Sequence, residues 1–140
     1  MSHIDTAILR LQTLITSCTD TVITNAPDYP VSDAGVLPIS VAHVGGGRAE
    51  FSNGTQTTFF VDVFVDVHFP RVLLSDTYSK LDKIIVEFPR RVHGDIQLLG
   101  VVETAQGVTI EAPTPTKWNA IETQMVRFVV PIKTFETPIT

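Results

Sequence analysis

The sequence predicts an α+β domain: a mainly antiparallel sheet of about four strands, with a long protruding β-hairpin and two helices packed on one face. Three observations carry this reading. Thr55–Arg71, TQTTFFVDVFVDVHFPR, alternates with period two over about fifteen residues, which is the pattern of one very long strand. Asn53-Gly54 stands directly before it, the strongest short hairpin signal. The remaining patterns run helix, strand, hairpin, helix, strand, strand, not the alternation that builds parallel βαβ units.

The first element is an amphipathic helix over roughly residues 4–22. Ile4, Ile8, Leu11, Ile15, Cys18 and Val22 recur at alternating steps of four and three and make one apolar stripe. Leu14 widens the stripe, and Ser2 or His3 sits near the helix start. NAPDYPVSDAG then reads as a loop. Val36–Val44 reads as a strand, with Pro38 tolerated near its beginning. Gly45, Gly46 and Gly47 form a flexible break before the hairpin.

At about 3.3 Å per residue the long strand spans roughly 50 Å, against a usual length of five or six residues. A small domain does not cover such a strand along its whole length. Part of it is expected to protrude and to complete its pairing against another chain. Phe59, Val61, Val63, Val65, Val67 and Phe69 share the expected core face. Thr58, Phe60, Asp62, Phe64, Asp66 and His68 share the other, where the two phenylalanines interrupt a polar surface.

Pro70 stops the strand. Ser75 is the expected N-cap of a second helix carrying Tyr78, Leu81, Ile84, Ile85 and Phe88, which breaks at Pro89. His93-Gly94-Asp95 reads as a helix-end turn, with Gly94 in the left-handed conformation. Asp95–Glu111 is read as a strand with Gly100 and Gly107 as bends, and Trp118–Glu136 as a long final strand with Val126, Phe128, Val130 and Ile132 on one face. Pro131 marks an edge or a bulge there. Residues 1–140 form a single domain, with no internal repeat and no linker.

Composition narrows the function. Hydrophobic residues reach 44% while charged residues are 18%, so the chain has apolar surface to bury against partners. No apolar run is long enough to cross a bilayer, and the N-terminus lacks a signal-peptide pattern; no membrane partner and folding in a cytoplasm are expected. One cysteine, Cys18, excludes an internal disulfide and a cysteine metal cluster. The net charge of −5, with scattered Lys and Arg, excludes a basic nucleic-acid-binding stripe.

Chemistry is hard to place. Asp62 and Asp66 share a strand face, but four residues of strand separate them by roughly 13 Å, beyond the roughly 5–9.5 Å of paired glycosidase carboxylates. Asp66 and His68 are half of a metal site without the other half, since His3, His43 and His93 lie on dispersed segments. The glycine run lacks the Lys-Ser/Thr and helix of a phosphate loop. Cys18 belongs to an apolar stripe, as core residues do. No catalytic residue, cofactor or metal is therefore assigned. Arg48, Phe51, Phe60, Phe64 and Arg71 remain as candidate subunit-interface residues, because aromatics and arginine are enriched at interfaces. The competing reading puts Phe60 and Phe64 under the chain's own loop, such as residues 25–35.

The whole layout resembles the tail terminator proteins of long-tailed bacteriophages. The resemblance is carried by LPISVAHV, by FFVDVFVDVHFPR with its apolar-Pro ending, by the helix SDTYSKLDKIIVEF, and by the closing pair DIQLLGVVETAQGVTIE and NAIETQMVRFVVPIKTFE. It covers nearly the whole chain. It implies a non-enzymatic virion protein of the tail and neck, assembled in the host cytoplasm without a cofactor. Such a protein forms a homo-oligomeric ring, generally a hexamer, at the head-proximal end of the tail tube. Its partners are the tail tube protein and the neck or head–tail connector, and DNA passes through the lumen without specific binding. An acidic balance suits a conduit, since a basic wall would retain the duplex through counterion release. The alternatives are another neck or head–tail connector ring, and a small ligand-binding α+β domain with a deep polar pocket.

Overall fold

The computed structural model describes residues 2–28, 30, 37–71, 74–98, 100, 102–118 and 120–139. Two helices, α1 (His3–Thr16) and α2 (Leu74–His93), accompany six strands: β1 (Ile39–Asn53), β2 (Gln56–Pro70), β3 (Thr104–Ala105), β4 (Thr109–Ile110), β5 (Thr114–Trp118) and β6 (Ile121–Glu136). All strand pairs are antiparallel, in the order β1-β2-β6-β3, with β4 and β5 also on the outer edge of β6. The class is α+β, as expected.

α1 starts on a reciprocal cap. The Asp5 N–H donates to Ser2 Oγ at 3.1 Å, and the Ser2 N–H to Asp5 Oδ2 at 3.3 Å. Its stripe buries Ala7, Ile8, Leu11, Leu14 and Ile15. The helix ends at Thr16, six residues before the expected Val22. Two competitors stop it. The hydroxyls of Thr16 and Ser17 return to the carbonyls of Thr13 and Leu14. The N–H groups of Thr19 and Asp20, which would extend the ladder, donate to the Glu87 carboxylate on α2 at 2.9–3.0 Å. Cys18 is still buried, whereas Val22 is exposed.

β1 begins at Ile39, and Val36 lies outside the described residues. The triple glycine does not break it. β1 runs through with a register shift between Val44 and Gly46. Glycine is required there by close approach: a Cβ on Gly45 would overlap the Phe64 ring, and one on Gly47, whose φ is +154°, would overlap the Phe60 carbonyl.

The long strand is present as β2, of 15 residues. Its pairing differs from the expectation. β1 flanks it on one side, and β6 flanks it on the other from Thr57 to Pro70. The chain thus supplies both partners of β2, and the hairpin is built into the sheet. Only the tip, residues 51–56, extends beyond the last β6 pair, Thr57 with Glu136. One edge of the sheet belongs to β1. Near its start that edge carries one parallel bridge, Asn25 with Ile39.

α2 also departs from expectation. It starts at Leu74, so Ser75 lies within the first turn, and it continues through Pro89 to His93. The proline forfeits one ladder bond, but packing on both sides of it holds the helix. Phe88 meets Phe128 with ring centroids 4.8 Å apart, and Val92 beyond the proline is 2% exposed. Gly94 closes the helix with its N–H on the Arg90 carbonyl at 3.1 Å, without a positive φ.

The expected strand Asp95–Glu111 is replaced by turns and the two-residue strands β3 and β4. Leu98, Gly100 and Gly107 adopt positive φ, and each such residue interrupts a ladder. The expected final strand is present as β6, beginning at Ile121, and the preceding residues Thr114–Trp118 form β5, which pairs back on it across Ala120, φ +66°; Asn119 lies outside the described residues. Pro131 sits inside β6, not at its end. The Pro131 carbonyl accepts from Gln106, and within a strand N and C=O of one residue point the same way, so the missing N–H faces the gap between β3 and β4.

The core lies between the helices and one sheet face. Val61, Val63, Val65, Val67 and Phe69 of β2 join Val126, Phe128, Val130 and Ile132 of β6, the sets that alternation assigns to one face. Among the described residues no helix is long and apolar enough to cross a membrane.

Candidate subunit interface

The period of two that sends these valines to the core sends the intervening residues to the face away from the helices. Register decides what they meet. Phe60 lies between Arg48 of β1 and Lys133 of β6, Phe64 between His43 and Val129, Asp66 between Val41 and Arg127, and His68 between Ile39 and Met125.

The result is a ladder of cations on rings. The Arg48 guanidinium stands 4.3 Å above Phe60, and the Lys133 ammonium lies 5.6 Å from the same ring and 5.8 Å from Phe135. Arg127 stands 4.4 Å above Phe64, which His43 approaches edge-on at 5.6 Å. Such contacts contribute about 0.5–1 kcal/mol each at exposed sites and more when desolvated.

One rung further, Asp66 anchors the ladder. Its nearly buried carboxylate accepts from Arg127 Nε at 2.7 Å and Nη2 at 3.0 Å, and His43 Nε2 lies 3.4 Å away. The hydrogen bond that Arg127 donates to this carboxylate raises the Arg127 pKa above its ordinary value. His68 Nδ1 pairs with Thr123 Oγ1 at 2.9 Å, and its ring lies 5.3 Å from Trp118. Burial holds its pKa below the usual histidine value, against the pull of Asp66.

Asp66 is committed to Arg127 and His68 to Thr123, and Asp62 is exposed. Among the described residues no three His, Cys, Asp or Glu side chains are placed to hold a metal ion. Cys18 is buried, and burial, with the Glu87 charge, pushes its thiol up to about 11.

Of the residues singled out in the sequence, Arg48, Phe60 and Phe64 come together on this face. Phe51 does not join them: it is 85% exposed near the hairpin tip. Arg71 is exposed just after β2, at the far end of the sheet. The loop proposed to cover Phe60 and Phe64 is described only in part, with residues 29 and 31–36 outside the described set. Pro27 is at the α1–β1 margin, where the Gln12 amide donates to the carbonyls of Pro27 and Ser40. Sequence reasoning missed Arg127, Lys133 and His43. The first two alternate with Val126, Phe128, Val130 and Ile132, so their face was readable, but their ring partners depend on register across strands far apart in sequence.

No protein-family model matches the chain, and no curated protein matches it.

Proposed function

We propose that this chain is a structural ring protein of a long-tailed phage, a tail terminator that ends tail-tube polymerisation and joins the tail to the neck. The observation that carries the proposal is the sheet face that neither helix covers among the described residues, beside the β1 edge. Half-buried Phe60 and Phe64, capped by Arg48, Lys133 and Arg127, make a stiff apolar-and-basic surface with no catalytic group at its centre. Aromatic–arginine surfaces of this kind suit protein contacts. The resemblance drawn from LPISVAHV and VDVFVDVHFP supplies the biological setting, and the net charge of −5 suits a lumen through which DNA slides.

Ring closure follows from heterologous contacts between identical copies. The end of the β1–β2 hairpin, residues 51–56, acts as the inter-subunit arm. One ring face meets the last ring of tube protein, and the other presents the surface for the neck protein.

Native mass spectrometry of the purified chain, followed by negative-stain imaging with and without tail tubes, tests this reading. Closed rings that cap one end of a tube are expected. A monomer at every concentration, with no affinity for tubes, overturns it.

A further inference from the structure

His68 is a buried histidine set beside a buried ion pair. It is 4% exposed and shares its face of β2 with Asp66, two residues earlier, which is 6% exposed. Asp66 accepts both bonds from Arg127, and Arg127 in turn stands 4.4 Å above Phe64, a ring of the candidate interface. The charged groups that act on His68 are these two, Asp66 on its own strand and Arg127 on β6. Its neighbours at this rung are uncharged: Ile39 of β1, Met125 and Thr123 of β6, and the Trp118 ring of β5 at 5.3 Å. His43 of β1, the other histidine near this carboxylate, lies one rung beyond Asp66, opposite Phe64, and keeps 37% of its side chain in water.

While the His68 ring is neutral, the Asp66 carboxylate balances one cation, Arg127. A proton on His68 puts a second positive charge in the same poorly hydrated place, where a single carboxylate then faces two cations. Arg127 is the one with a way out. Its guanidinium ends a long flexible stem, and 29% of its side chain already meets water, whereas His68 is held between Thr123 and Trp118.

We propose that His68 is an acid-triggered switch beneath the candidate interface: when its ring takes a proton, Arg127 releases Asp66 and leaves the Phe64 ring. Burial favours the neutral ring, which sets the switch below the ordinary histidine value of about 6.5. The unfolded chain therefore takes this proton first, so the closed state is at full strength above about pH 6.5 and weakens as pH falls below it. The switch belongs to the single chain; its consequence, loss of association in acid, rests on reading this face as a subunit interface.

Trp118 is the chain's one tryptophan, and an adjacent imidazolium quenches indole emission, so the molecule carries its own reporter. Trp118 emission and the Arg127 Nε–H resonance of the isotope-labelled chain are followed from about pH 8 to about pH 4. Quenching of Trp118 and movement of the Arg127 resonance to the position of a free arginine are expected at one shared midpoint below about 6.5, with circular dichroism unchanged. An Arg127 resonance that stays in place after Trp118 is quenched, or that moves only as the circular dichroism is lost, overturns the switch. So does the absence of quenching across the whole range. This comparison needs no variant.

His68→Gln keeps a polar group for Thr123 and should hold the Arg127 resonance in place throughout, whereas His43→Gln should release it as the wild type does. The opposite pattern would overturn the role given to His68. Native mass spectra on either side of the midpoint read the consequence, with rings above it and single chains below it. Rings on both sides overturn the switch's hold on assembly. Single chains on both sides overturn the ring reading and leave the resonance result to stand.

Discussion

Replacing Asp66 by alanine removes the buried carboxylate that anchors the candidate interface. Its side chain is 8% exposed and accepts two bonds from Arg127, at 2.7 and 3.0 Å. Breaking a fully buried pair by deleting one partner costs about 3–5 kcal/mol. Arg127 keeps 29% of its side chain in water and its stack on Phe64, so the lower end of that range applies. Asp66→Ala is expected to cost about 3 kcal/mol. Arg127→Ala leaves the carboxylate facing His43 alone at 3.4 Å and is expected to cost about the same. The double variant strands no charge and should cost about 4 kcal/mol, which gives a coupling of about 2 kcal/mol between the two sites. Urea unfolding of the four proteins, followed by circular dichroism at one protein concentration, measures it, because association of the folded chain shifts apparent stability. A coupling below about 0.5 kcal/mol, the ordinary error of additivity, would refute the ladder as a cooperative unit.

Other perturbations test the supports around this face. Burial pushes the Glu87 pKa up, but bonds from the Asp20 and Thr19 N–H groups and from Arg91 outweigh it and hold the carboxyl below its usual value. Its contribution is therefore complete above the ordinary Glu pKa of about 4.3 and is lost as pH falls through the lower folded-state value. Glu87→Gln should be about 2 kcal/mol less stable at pH 7, with the gap closing in acid unfolding curves. Because the buried Cys18 thiol titrates near about 11, a disulfide reagent at pH 8 should label the native chain only as fast as it opens; immediate labelling would contradict the burial. Gly45→Ala drives a methyl group into the Phe64 ring and should cost about 1–3 kcal/mol in thermal melts, with displaced Phe64 resonances.

The candidate face was half legible. Alternation alone placed Phe60, Phe64, Asp66 and His68 together, because a strand's side-chain period does not depend on what lies beside it. What caps the rings was not legible. Arg48 meets Phe60 only after the hairpin register is set, and Arg127 and Lys133 arrive from β6, more than sixty residues further along the chain. Phe51 was grouped with the same residues by type, yet its place near the hairpin tip makes it a separate feature.

By itself the sequence determined the elements whose signals are local. These are the apolar stripe of α1, the two faces of β2 and the inner face of β6. Periodicity acts within a few residues, so the order of residues suffices. Only the tertiary structure decided the rest. Glu87 ends α1 early by taking its next N–H groups, and Phe88 and Val92 carry α2 through Pro89. The Phe64 ring makes β1 continue across three glycines, and β6 closes the far side of β2. Each outcome is a contact between segments distant in sequence. There, burial and a satisfied hydrogen bond outweigh propensities of about one to three kilocalories per mole.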